Sequence, residues 1–201
     1  MELDLFRIII FFIIGWSAYF GYLHPRNLGY VNSPLINILW YIFTLICGVM
    51  IFGDYPNLFS IHAVLLFTLI ILIYLSVTYF WRIGELEEFH RNYLIVKLFE
   101  IGFQQFLIVS LISWFGYYLS PGIMNLFSFC VLFGTLHIGL LFFKPLGNIR
   151  YLYFLLSFVG GIMFYLLITV GVFGVELAFL LHYMFYVFMS YNIDSKTLKS
   201  L

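Results

Sequence analysis

Apolar runs of roughly twenty residues recur from one end of this chain to the other, and a run of that length matches the thickness of a bilayer core as a helix. A water-soluble domain of 201 residues has no means of hiding a chain that is 64% hydrophobic and 9% charged. The runs are continuous rather than alternating with period two, which excludes a transmembrane β-barrel. The chain therefore reads as an all-α polytopic membrane protein. Its formal net charge of zero gives no reason to expect nucleic acid or an acidic partner. The expected surroundings are the lipid bilayer of the cell membrane.

Gly, Pro, Asn and charged residues divide the sequence into about seven spans: 5–22, 34–52, 59–80, 93–119, 123–143, 151–172 and 177–189. The acidic start lacks a small-residue cleavage site, so the first run reads as a retained span. There is no internal repeat, so residues 1–201 form a single transmembrane domain. With seven spans, one side receives Arg26, Arg82, Arg91, Lys144, Arg150, Lys196 and Lys199, and the other Arg7 alone. The positive-inside rule then sets the N-terminus outside and the C-terminus in the cytoplasm. Lys97, just inside the fourth span, is expected to snorkel back to the cytoplasmic interface. Cys47 and Cys130 lie in apolar runs, where lipid-facing or packed positions are expected rather than a disulfide.

Within this apolar background a few polar side chains stand out. Ionisable groups deep in a membrane are costly and read as functional by default. Glu100 lies in Phe99-Glu100-Ile101-Gly102-Phe103-Gln104-Gln105, His137 in the fifth span and His182 in the seventh. Counting 1.5 Å per helical residue, all three fall roughly 10–12 Å from the cytoplasmic face. Three spans thus contribute one layer, expected to open to the cytoplasm. Glu100 and Gln104 share a face at i,i+4, as do Phe133 with His137 and His182 with Tyr186. A buried Glu beside His can act as a general base on water, and a second His can stabilise an oxyanion. Glu plus two His is also a possible zinc set, although no cofactor is the favoured expectation.

Phe133-x-x-x-His137, His182-x-x-x-Tyr186 and Phe99-Glu100-x-x-Phe103-Gln104 resemble the three motifs of the CPBP family, which comprises CAAX prenyl proteases and bacteriocin-processing enzymes. The resemblance covers about residues 93–191 and implies a CAAX-protease-like helix bundle. It further implies an intramembrane endopeptidase of the glutamate type, acting on a hydrophobic peptide or membrane-protein substrate. Glu100 and His137 would activate water, and His182 with Tyr186 would stabilise the oxyanion. Gln104, Gln105 and Phe133 would support them, without metal. The first family motif is Glu-Glu-x-x-x-Arg, often with an aromatic just before the Arg. With Phe103-Gln104 matched to that pair, Phe99 stands at the first Glu and Gln104 at the Arg, whereas a shift of one residue makes Glu100 the first Glu and Gln105 the Arg equivalent but loses the match of Phe103. Tyr186 replaces the Asn usual in the third. The alternative is accordingly a non-catalytic relative, a pseudoenzyme whose cavity binds a hydrophobic segment or lipid. A proton-coupled carrier relaying through Glu100 is a third reading, disfavoured by the absence of inverted repeats.

The remaining polar residues are expected to be peripheral. His62 reads as interfacial, and His24 and His90 as solvated in cytoplasmic loops. Glu85, Glu87, Glu88 and Arg91 read as a solvated linker, and Glu176 as favoured by the dipole of the seventh helix. Gly160-Gly161 is expected to permit close helix packing.

Overall fold

A computed structural model describes residues 5–52, 88–119, 122–142, 146–170 and 173–192. Six α-helices occupy them: α1 Leu5–Ala18, α2 Pro34–Phe52, α3 Glu88–Tyr118, α4 Ile123–Leu136, α5 Ile149–Val170 and α6 Gly174–Asn192. There is no strand among the described residues. Among the described residues, five helical stretches are long and apolar enough to cross a membrane, and the apolar part of α6, Gly174–Val187, is shorter. The span expected at 59–80, with His62, and the residues Glu85 and Glu87 lie outside the described residues.

α3 is the axis of the bundle and packs against each of the other five helices. Of its apolar window, 83% is buried inside the protein, against 17% to 33% for the other spans. A helix enclosed on every side needs no apolar stripe, and this one carries Lys97, Glu100, Gln104, Gln105 and Ser110, all buried. The outer helices are reversed, turning large apolar side chains such as Met50, Ile123 and Val170 outward. This is the arrangement expected when the solvent is hydrocarbon.

Close approach of the helices depends on small residues. A Cβ added at Gly15 would fall 2.3 Å from Phe103 Cζ, so α1 lies against α3 only because position 15 has no side chain. The Gly15 carbonyl also accepts a 3.0 Å hydrogen bond from Trp40 Nε1 of α2. At Gly161 the α4 backbone is 3.3 Å from where a Cβ would be, the close packing expected of Gly160-Gly161. Cys130 is packed at this same contact.

Two helices change character near the polar layer. α1 continues as a π-turn over Tyr19–Leu23 and a 3-10 turn over His24–Arg26, before Asn27 takes a left-handed conformation at φ 60°. The fifth span, expected to be one helix, stops being α-helical at Leu136 and runs on as a 3-10 turn over His137–Phe142. The connection from α1 to α2 is tied down by Asn37 Nδ2 donating to the Leu28 carbonyl and Asn92 Nδ2 donating to the Val31 carbonyl. Those bonds hold Tyr30, between them, in the interior.

Candidate functional site

A single stripe of α3 supplies the polar centre. Tyr93, Lys97, Glu100 and Gln104 follow one another at spacings of four, three and four, which places them along one helix face. Glu100 is 2% exposed and both of its oxygens are engaged. Lys97 Nζ donates to Oε2 at 2.5 Å, and Gln104 Nε2 donates to Oε1 at 2.8 Å. Gln104 also makes a side-chain hydrogen bond with Tyr186. The Glu100–Gln104 pairing is the one its i,i+4 spacing suggested.

Lys97 does not snorkel to the interface. It is 7% exposed, and besides Glu100 its ammonium is surrounded by aromatic faces. Nζ lies 4.4 Å from the Tyr186 ring centroid, 4.7 Å from Tyr30 and 5.5 Å from Tyr93. A desolvated ammonium gains from such ring quadrupoles as well as from its counter-ion. The expectation failed because α3 begins at Glu88, five residues before the anticipated start at 93. Lys97 is therefore nine residues into a helix that the bundle encloses, where Glu100 and three tyrosine rings surround its ammonium.

The tyrosine cluster continues away from α3. Tyr30 stacks on Tyr19 with centroids 4.1 Å apart, and its hydroxyl shares a 2.8 Å hydrogen bond with the Tyr41 hydroxyl. Burial, and after it the Glu100 charge, push the Tyr30 hydroxyl well above the ordinary phenol range, so it stays protonated.

The two histidines reach the layer from α4 and α6. His137 stands where the α-helix ends, at φ −88° and ψ 4°, a sparsely populated conformation frequent at functional positions. Its Nδ1 is 2.7 Å from the Phe133 carbonyl. A carbonyl only accepts, so Nδ1 carries the hydrogen and Nε2 of the neutral ring holds a free lone pair. Phe133 also packs on the imidazole at 4.6 Å, and Trp16 approaches edge-on at 5.3 Å. His182 is stacked on Tyr186 at 5.4 Å and tilted against Phe164 at 5.0 Å. Its Nδ1 is buried with no hydrogen-bond partner among the described residues.

Glu100, His137 and His182 all line one cavity of about 240 Å³, together with Lys97, Phe133 and Tyr186. The convergence anticipated from their depths is present. Gln104 sits behind Glu100 and is not part of the lining, and Gln105 faces elsewhere, its Nε2 directed to the Val175 carbonyl at 3.4 Å. Among the described residues no three His, Cys, Asp or Glu side chains are grouped to hold a metal ion. His24 is not simply solvated: it is half-buried, with its ring 5.9 Å from that of Tyr19. Glu176 stands in the first turn of α6, as expected for a carboxylate near a helix N-terminus.

Sequence reasoning missed Lys97 as a site residue although its i,i+3 spacing to Glu100 was visible. Trp16, Tyr19 and Tyr30 carried no comparable signal, because only the tertiary packing of α1 and its connection brings them to the cavity. No family model, no curated protein and no solved structure matches the chain.

Proposed function

We propose that this chain is a seven-span membrane protein of the CPBP type, with its N-terminus outside, whose intramembrane cavity holds a hydrophobic segment or lipid without cleaving it. The observation that carries this reading is the engagement of Glu100. An ammonium at 2.5 Å on one oxygen and an amide at 2.8 Å on the other hold the carboxylate as an ion pair. A general base has to accept a hydrogen bond from the attacking water, and here each oxygen of Glu100 already accepts one from a protein donor. In the resemblance Glu100 matches the second Glu of the first motif, and Phe99 stands where the first would be. Lys97, three residues before Glu100, then supplies the positive charge that the family places four residues after it. The Glu100 cluster pins the helices around the cavity and gives it a polar floor.

Hydrolysis is favoured by a different observation, the hold of the Phe133 carbonyl on His137 Nδ1 at the cavity wall, which leaves Nε2 as the ring nitrogen able to accept a proton. In that reading His137 takes the water proton and His182 faces the oxyanion. The two readings differ in whether a peptide bond breaks.

The binding reading is tested by filling the cavity. Gly160 lies on its wall, and a Cβ added there meets only Phe164, at an ordinary 3.8 Å. In reconstituted protein, Gly160→Leu is expected to retain the wild-type melting temperature and to weaken saturable binding of a fluorescent apolar probe at least tenfold. Unchanged binding by a folded variant would refute the cavity as the site.

A further inference from the structure

Beside the cavity runs a groove between the end of α1 and the 3-10 turn after α4. Phe12, Ile13, Ser17, His24, Gly139 and Phe142 form it, and it shares Trp16, Phe20 and Leu140 with the cavity wall. We propose that this groove is the lateral path by which one acyl chain of an ester lipid reaches the cavity, with the ester carbonyl accepting a hydrogen bond from Trp16 Nε1. The proposal rests on the binding reading above and names its ligand.

Ile13 and Phe142 are 50% and 76% exposed, so the outer side of the groove faces the hydrocarbon in which a spanning helix sits. The inner side ends at Trp16, whose ring stands edge-on to His137. Trp16 Nε1 is buried without a hydrogen-bond partner among the described residues, as is His182 Nδ1 across the cavity. An indole N–H only donates, so its missing partner is an acceptor such as a carbonyl. Buried donors of this kind are normally satisfied, by ligand where not by protein.

Polarity selects the occupant. An extended peptide brings one N–H and one carbonyl per residue, each needing a partner where water is excluded. Beyond Trp16 the groove offers only Ser17 and His24 as polar side chains. An acyl ester brings a bare methylene chain and one acceptor group. The wall it must part includes Phe20, within the π-turn Tyr19–Leu23. Single π-turns inside helices recur at functional sites.

The test uses the full chain reconstituted in phosphatidylcholine vesicles holding a trace of diacyl phosphatidylcholine with a diazirine at the chain end. After photolysis, mass spectrometry should find label on the buried cavity residues His182 or Phe164, beyond the annular label on exposed Met50. A Cβ at position 139 meets nothing within 4 Å, so Gly139→Leu keeps the fold and fills the groove. It should lower cavity labelling at least fivefold at unchanged melting temperature and unchanged Met50 labelling. The dialkyl ether analogue should label the cavity roughly three- to tenfold less than the ester, and Trp16→Phe should erase that difference. Unaltered cavity labelling in Gly139→Leu overturns the groove and leaves the binding reading standing. Equal labelling by ester and ether overturns the role of Trp16. Cavity labelling by a diazirine-bearing apolar peptide but not by the lipid overturns the acyl assignment alone, whereas labelling by neither overturns both readings.

Discussion

Removing either member of the Lys97–Glu100 pair should destabilise the bundle far more than removing both. The side chains are 9% and 3% exposed, and the charged atoms are 2.5 Å apart. At an effective dielectric constant of about 20, unit charges at that separation attract by roughly 7 kcal/mol. Desolvation, at several kcal/mol per ion, offsets most of this, so the net value of the intact pair is small. Lys97→Met breaks the balance: it leaves a buried carboxylate with Gln104 as its sole remaining hydrogen-bond donor and costs about 3–5 kcal/mol. Glu100→Gln leaves the ammonium among its tyrosine rings without a counter-ion and should cost a similar amount. For a chain of this size such a loss is roughly 6–20 °C in melting temperature. The double variant Lys97→Met/Glu100→Gln leaves no buried charge and retains the amide pairing with Gln104. It should recover most of the loss. The assay is thermal unfolding of purified protein in one detergent at one scan rate, closed as a double-mutant cycle. Additive single effects, or single variants within a degree or two of wild type, would refute the claim that Glu100 is held by Lys97.

Two further substitutions probe the packing around this pair. Tyr30→Phe removes the partner of the Tyr41 hydroxyl, in a residue 1% exposed, and should cost about 1–3 kcal/mol, with Tyr41→Phe on top of it restoring part of the loss. Thermal unfolding of the three variants reads this directly. Gly15→Ala sets a methyl against the Phe103 ring and should push α1 from α3 at a cost of about 1–3 kcal/mol, seen as a lowered melting temperature. A melting temperature equal to wild type would mean that Phe103 yields freely.

How far the sequence could be read depended on whether the information was local. Helix positions followed from composition: α2 runs Pro34–Phe52, the bounds expected, because a proline opens it and the apolar run gives way in sequence to Gly53-Asp54. The meeting of Glu100, His137 and His182 was legible because helical rise converts sequence position into depth. Lys97 was misjudged on the same arithmetic, since a polar stretch such as Glu88–Asn92 looks like a loop although it belongs to α3. The change from α-helix to 3-10 at His137 left no trace, as Leu136, His137 and Ile138 continue an apolar run without proline. Trp16, Tyr19 and Tyr30 join the site through packing of α1 and its connection on α3, and that depends on shapes such as the notch at Gly15. Gln105 shows the reverse limit. It adjoins Gln104 in sequence, but one residue turns it by about 100° around the helix, away from Glu100 and toward Val175.

On the binding reading, the cavity holds its ligand and leaves peptide bonds intact because Glu100 is committed to Lys97 and Gln104. The most direct test incubates reconstituted protein with prenylated and membrane-spanning peptides and records peptide masses over time. Wild type and His137→Ala are compared at equal, verified folding. Intact peptides are expected with both proteins. New peptide termini formed by wild type and absent with His137→Ala would contradict the binding reading and establish a hydrolytic site centred on His137.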